Sequence, residues 1–87
     1  MIKSYPIVDD EGRDFGGEVS FDFSKLYAVE KMYKWIWVRP AEDMPREERR
    51  ELVEGCCTIH VGREEFNIRA DYNEVLNLFK EQNEMFG

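Results

Sequence analysis

The segment 57–69 constrains the fold most, because its residue pattern fits one pairing of two strands. Apolar and polar residues alternate on both sides of Gly62-Arg63, and glycine in the first of two turn positions suits a type II′ hairpin. If Val61 pairs with Glu64, apolar side chains meet on one face and polar side chains on the other, whereas a slip by one residue would mix them. The predicted apolar pairs are Ile59–Phe66 and Cys57–Ile68, and the predicted polar pairs are Thr58–Asn67 and His60–Glu65.

A helix is predicted directly after this hairpin. Asp71 and Glu74 have the spacing of a capping box with Asp71 as the N-cap, and we expect the helix to run from Tyr72 to about Met85. Apolar residues follow at helical spacing. One predicted stripe contains Tyr72, Val75, Leu76, Phe79 and Phe86, and a second ridge, which we take as a candidate dimer contact, contains Leu78 and Met85.

Three further strands are predicted, at Ile2–Val8, Val19–Phe23 and Tyr33–Arg39. Pro6 places the first of them at a sheet edge. Residues 24–32 fit either a short helix or an extended segment. Pro45 and Gly55 bracket a short, charged, solvated helix at Pro45–Val53. The predicted fold class is α+β, a small antiparallel β-sheet with a C-terminal helix packed on one face and this helical excursion.

The string Cys57–Leu76, with Thr-Ile, Gly, Phe-Asn-Ile and then Asp-Tyr-Asn-Glu-Val, resembles the hairpin-plus-helix end of the small FlbD-type flagellar accessory proteins. The resemblance covers about 25–30 residues and implies an accessory role in flagellar assembly. The chain departs from that family in its insertion at 42–54 and its acidic N-terminal part. The resemblance assigns no functional residue.

Length and composition indicate one domain over residues 1–87, in which 42–54 is a charged insertion. The longest apolar run, Trp35–Val38, is too short for a membrane helix, and no signal peptide is recognisable. Cys56 and Cys57 are adjacent and cannot form a disulfide framework. We therefore expect a cytoplasmic protein that does not engage membranes.

The net charge of −7 disfavours direct binding of duplex nucleic acid, which requires a basic surface. An acidic chain is steered toward basic surfaces instead. The charge is uneven, since residues 24–41 carry a net charge of +3 and also hold Tyr27, Tyr33, Trp35 and Trp37. Aromatic side chains and positive charge therefore coincide in one stretch.

Neither a metal site nor a catalytic group is predicted. His60 is the only histidine, and in a strand its Cα atom lies about 13 Å from that of Cys56, too far to share a metal. The same distance excludes a catalytic Cys–His dyad. No spacing of carboxylates in the sequence identifies one as a general acid and another as a general base. We expect a surface His60–Glu65 pair, one buried thiol at Cys57, no cofactor and no enzymatic activity.

The aromatic strand is the main candidate for binding. In a strand, Tyr33, Trp35, Trp37 and Arg39 share one face, while Lys34, Ile36 and Val38 share the other. Three interpretations stay open: core packing, a protein interface rich in Trp, Tyr and Arg, and a stacking platform for an aromatic or anionic ligand. The candidate binding residues are Tyr33, Lys34, Trp35, Trp37 and Arg39.

From the sequence we therefore expect a small, acidic, non-enzymatic binding module that forms a homodimer and engages a basic protein surface. One form of this function is inhibition of a nucleic-acid-binding protein, by analogy of size and charge with small phage-encoded anti-defence proteins. The alternatives are a module that sequesters a small ligand or nucleotide on the aromatic and basic strand, and a FlbD-like flagellar accessory protein.

Overall fold

The computed structural model describes the backbone of residues 2–86 and the side chains of residues 2–83. Five strands form one antiparallel sheet in the order β2-β1-β5-β4-β3, and the C-terminal helix packs against it, which confirms the predicted α+β class. The elements are β1 (Ile2–Val8), β2 (Asp14–Asp22), a 3-10 turn (Phe23–Lys25), β3 (Leu26–Val38), β4 (Glu47–Val61), β5 (Glu64–Ile68) and α1 (Tyr72–Phe86).

The β4–β5 hairpin has the predicted register. Val61 lies opposite Glu64, and the four remaining predicted pairs follow. Gly62 has a φ of 60°, and among the described residues positive φ angles occur only at glycines. The turn therefore has its single positive φ at the first central position, as a type II′ hairpin requires.

The main core lies between this hairpin and α1. Cys57, Ile59, Ile68 and Val75 are fully buried in it. The β1–β2 hairpin and the 3-10 turn add the rings of Phe21 and Phe23, which are tilted by 38° to each other with their centroids 5.1 Å apart. The segment 24–32, left open by the sequence, is a short 3-10 turn followed by extended chain, so Phe23 and Leu26 both point into the core.

The helix begins as predicted, since the Glu74 amide donates to the Asp71 carboxylate at 3.2 Å. Its buried stripe differs from the predicted one. Leu78, expected on a separate ridge, packs against the core beside Phe79, and Gln82 is buried one turn later. The side chains of Met85 and Phe86 lie outside the described residues.

The predicted helix at Pro45–Val53 is wrong, because these residues belong mostly to β4. Pro45, Gly55 and the charged residues between them have the local pattern of a short helix. These residues form a strand instead because β3 provides the hydrogen-bonding partner, and Glu47 to Leu52 pair with it without interruption. The segment is exposed up to Leu52, as expected of a solvated excursion, but it is half of a two-stranded ribbon.

The edge position predicted for β1 is also wrong, because β1 lies between β2 and β5. The Pro6 carbonyl accepts from the Arg69 amide at 2.9 Å. The N and O of one strand residue face the same side, so the donor that Pro6 lacks would also face β5. The pairing between β1 and β5 is limited to Ile7–Ile68. The missing Pro6 donor therefore removes little from the hydrogen bonding between these two strands.

A second, smaller cluster lies away from α1. It contains Val8, Met32 and Cys56, with Val53 packed against it. The turn between β1 and β2 lies against this cluster. The Asp9 carboxylate organises that turn by accepting from the amides of Glu11 and Arg13, each at 2.9 Å.

Candidate binding surface

The outer halves of β3 and β4 form a two-stranded extension, here called the ribbon, in which Tyr33–Val38 pairs with Glu47–Leu52. The molecule is elongated, with principal extents of 56 × 28 × 21 Å. The ribbon residues belong to neither core cluster. The ribbon therefore extends from the sheet without joining either core.

An irregularity in β4 separates the ribbon from the body of the sheet. Lys31 lies opposite Cys57, but Tyr33, only two residues further along β3, lies opposite Leu52, five residues further along β4. Gly55 lies within the extra length and has a φ of 75°, a backbone conformation that side chains disfavour. The bulge lets Val53 and Cys56 pack into the second cluster while the ribbon continues outward.

One face of the ribbon is apolar and open to solvent. Directly paired residues of antiparallel strands share a face, so the partners of the aromatic residues, including Leu52, lie beside them. Trp35 is 64% exposed and Trp37 is 65% exposed. The aromatic face, as we call it, consists of Tyr33, Trp35, Trp37 and Leu52. This exposure rules out core packing of the tryptophans within one chain.

The charges on this face are balanced. Arg50 lies opposite Trp35 and Glu48 lies opposite Trp37. The Arg50 guanidinium lies 4.3 Å from the centroid of the Tyr33 ring, which is a cation–π contact. The face thus presents three aromatic rings beside one acid and one base.

The opposite ribbon face is half-buried at Ile36 and Val38. Arg49 and Glu47 pair there, with Nε donating to Oε1 at 2.6 Å. Lys34 belongs to this face as well and lies opposite Glu51. The predicted binding residues are therefore divided: Tyr33, Trp35 and Trp37 are together, Lys34 is on the other face, and Arg39 is exposed beyond the end of β3.

An open groove of about 750 Å³ lies where the ribbon leaves the body. Ribbon residues line one part of it, and Thr58 and Asn67, which bond to each other at 2.7 Å, line another. Its charged lining is mixed, comprising Asp10, Glu11 and Glu65 with Lys31, Lys34 and Arg50. The groove therefore brings Lys34 and Trp35 into one cavity although they occupy opposite ribbon faces.

His60 lies opposite Glu65, as predicted, but its hydrogen bond goes elsewhere. Its Nε2 lies 2.6 Å from Oε1 of Glu30 on β3, and its ring contacts that of Tyr27 at a centroid distance of 5.6 Å. Tyr27 comes close because it lies at a register shift in β3. Among the side chains of residues 2–83, no group of three His, Cys, Asp or Glu residues is arranged to hold a metal ion.

Both cysteines are buried, although only Cys57 was expected to be. Their side chains point to opposite faces, Cys57 into the main core and Cys56 into the second cluster. Burial raises the pKa of the Cys57 thiol to about 12, and burial also raises the pKa of Cys56. Neither thiol has the lowered pKa of a reactive nucleophile.

Sequence reasoning missed Leu52 and Arg50, which complete the aromatic face. The signal that could have found them is the alternation of Glu48, Arg50 and Leu52 at strand spacing. That alternation was hidden by reading the segment as a helix.

Comparisons of the chain with protein families, with curated proteins and with solved structures find no match. The FlbD-type resemblance therefore stays a prediction. In the part of the chain that the structure covers, no helix has the length and apolar character needed to cross a membrane.

Proposed function

We propose that the protein is a non-enzymatic binding module that docks on a basic surface of another protein through its aromatic face. The observation that carries the proposal is the exposure of Tyr33, Trp35, Trp37 and Leu52 side by side. Trp, Tyr and Arg dominate the energetics of protein interfaces, and contiguous exposed apolar patches on soluble proteins commonly mark such sites.

The charge distribution supports a basic partner. Residues 33–54 hold five bases and six acids, a net charge of −1, so the remainder of the chain carries −6 of the total −7. A nearly neutral contact face on an acidic body suits a partner with an apolar pocket surrounded by positive charge. One form of this function is occupation of the nucleic-acid-binding surface of another protein, because such surfaces are basic.

The test uses two single variants that remove a comparably exposed aromatic side chain. Trp37→Ser alters the aromatic face, whereas Phe15→Ser alters β2, where Phe15 is 73% exposed. A partner isolated by affinity capture is purified, and its affinity for each variant is measured by titration calorimetry. We expect Trp37→Ser to raise the Kd about 30-fold or more, as loss of a hot-spot residue does, and Phe15→Ser to leave it unchanged.

Equal affinities of Trp37→Ser and the unmodified protein would contradict docking through this face. The charge part of the proposal is tested separately. The association rate with the purified partner should fall as salt is added, because long-range attraction between opposite charges is screened. A rate independent of salt would contradict a basic partner while leaving the aromatic contact intact.

The groove favours a second candidate function, the sequestering of a small anionic aromatic ligand such as a nucleotide. Lys34 and Trp35 line the same cavity, which provides a cation and a stacking surface. The carboxylates of Asp10, Glu11 and Glu65 in the same lining oppose an anion, so protein docking is the better-supported function. A shift in Tm on adding nucleotides, abolished in Lys34→Ala, would support the ligand instead.

A further inference from the structure

The outer edge of β3 has no neighbouring strand within residues 2–86, because β3 is the last strand in the sheet order. It is thirteen residues long, from Leu26 to Val38. An edge of that length presents a row of backbone N–H and C=O groups that can pair with another strand. Proline, a common protection of such edges, is absent from β3, and its charged residues are Glu30, Lys31 and Lys34.

We propose that two copies of this chain pair antiparallel along β3, in the register that places Met32 opposite its own copy. In this register Ala28 to Ile36 of the two copies pair without crossing the register shift at Tyr27. The same register places Glu30 of each copy opposite Lys34 of the other. Opposite charges directly across an antiparallel pair are stabilising, and the two-fold symmetry creates two such pairs.

The apolar residues agree with this register. Val29 lies opposite Trp35 of the second copy and Ala28 lies opposite Ile36, and β-branched and aromatic residues are favourable cross-strand partners. The paired residues have the same parity along β3, so equivalent faces of the two sheets lie on the same side. Both copies of α1 then lie on one side of a continuous sheet of ten strands, twice the five of one chain.

Neighbouring registers are worse. Moving the symmetry point by one residue to Lys31 places this lysine opposite its own copy, and like charges directly opposite are destabilising. Moving it to Tyr33 places Glu30 opposite Ile36 and leaves the carboxylate without a cation across the pair. The charges on β3 therefore disfavour both of these neighbouring alignments.

The strand that pairs with this edge belongs to a second copy of the chain and not to an unrelated protein, because the complementary charges lie within β3 itself. The contact uses the edge of the strand, and it brings Val29 of the second copy beside Trp35 at one margin of the aromatic face. The inference does not rest on the proposed function. A chain that dimerises but binds no other protein, and a chain that binds another protein but stays monomeric, are distinguishable results.

Sedimentation equilibrium of the purified full chain tests the proposal. We expect a mass of twice 10.4 kDa at high concentration. Lys34→Glu places a carboxylate opposite Glu30 of the other copy in both symmetric pairs. The repulsion should raise the dimer Kd about tenfold or more. Lys80→Glu changes the net charge equally on an exposed part of α1 and should leave the Kd unchanged.

Lys34 also lies opposite Glu51 of its own chain, so a second variant is needed. Glu30→Lys leaves that pair in place and should weaken the dimer as strongly. The double variant Glu30→Lys/Lys34→Glu restores opposite charges across the two-fold axis and should recover the dimer. Thermal unfolding of each variant reports separately on the loss of the Glu30–His60 hydrogen bond.

A mass of 10.4 kDa at every concentration would overturn the proposal. So would a dimer that Lys34→Glu leaves intact, or one that the double variant does not restore. Arg50→Glu addresses the remaining arrangement, in which two aromatic faces pack against each other. A dimer lost in Arg50→Glu and retained in Lys34→Glu would assign the contact to that face instead of the edge.

Discussion

Gly12 lies directly against the side chain of Val53. A Cβ atom on Gly12 would be 2.5 Å from Cγ1 of Val53, and Gly12 has a φ of 87°. The turn between β1 and β2 thus closes onto the bulge of β4, where Val53 joins Cys56 in the second cluster. This contact ties the N-terminal hairpin to the start of the ribbon.

Gly12→Ala is therefore expected to destabilise the protein by about 2–4 kcal/mol, because left-handed backbone strain and a steric clash add up. Gly16→Ala is the matched control. Gly16 has a φ of 85° but no atom within 4 Å of an added Cβ, so it should cost only about 1–2 kcal/mol. Urea unfolding of both variants measures the difference, and equal losses would show that the Val53 contact is unimportant.

The hairpin and the helix were predictable because their determinants are local. The parity of residues on either side of Gly62 is sufficient to set one register, and Asp71 caps α1 from the position directly before the helix. The ribbon was not predictable in this way. The strand conformation of Glu47–Leu52 depends on pairing with β3, which lies nine or more residues away across the turn, while the local pattern favours a helix.

The candidate site was predictable only in part for the same reason. The tryptophans were recognised from composition and strand parity, but their exposure depends on where the sheet's core ends. Leu78 was misassigned because the helix turns the line of Val75, Leu78 and Gln82 toward the core, with Val75 and Gln82 buried and Leu78 partly buried. That rotation is set by packing on the hairpin and is not visible in the helical periodicity alone.

Ile59→Ala should destabilise the protein by about 2–5 kcal/mol, because it leaves a cavity at a fully buried position of the hairpin. Phe66→Ala removes the cross-strand partner, which is only half-buried, and should cost less. Ile59→Val serves as the control and should cost about 0.5–1.5 kcal/mol. Chemical denaturation measures all three, and a Phe66→Ala loss exceeding that of Ile59→Ala would contradict the assigned burial.

Alkaline pH should destabilise the fold through its buried thiols. The folded pKa of Cys57 is raised from 9.0 to about 12, so folding favours the neutral thiol. The corresponding stability is fully present below about pH 9 and is lost as the pH rises toward 12, by about 1.4 kcal/mol for each pH unit. Cys57→Ala should flatten this dependence in urea unfolding between pH 9 and 11, and an unchanged slope would contradict it.

The same thiols should resist alkylation in the native state. Iodoacetamide modifies the thiolate, and burial raises the pKa of both cysteines. We expect mass spectrometry to find both residues unmodified at neutral pH until denaturant is added. Rapid modification of either cysteine in the folded protein would show that its side chain is accessible.

Tyr5→Phe is expected to stabilise the protein. The Tyr5 hydroxyl is buried and has no hydrogen-bond partner among the described residues, while its ring packs at 5.9 Å from that of Phe21. Removal of an unsatisfied buried hydroxyl with retention of the ring should gain about 1 kcal/mol. A rise in Tm checks this, and a clear fall would reveal a partner for the hydroxyl.

The ribbon should exchange its amide hydrogens faster than the β4–β5 hairpin. The ladder between Tyr33–Val38 and Glu47–Leu52 is continuous, but opening it disrupts neither core cluster, so local unfolding costs little. In contrast, opening Cys57–Val61 disrupts the main core. Exchange followed by NMR at low protein concentration compares the two segments of the same strand, and equal protection would mean that the ribbon unfolds only together with the body.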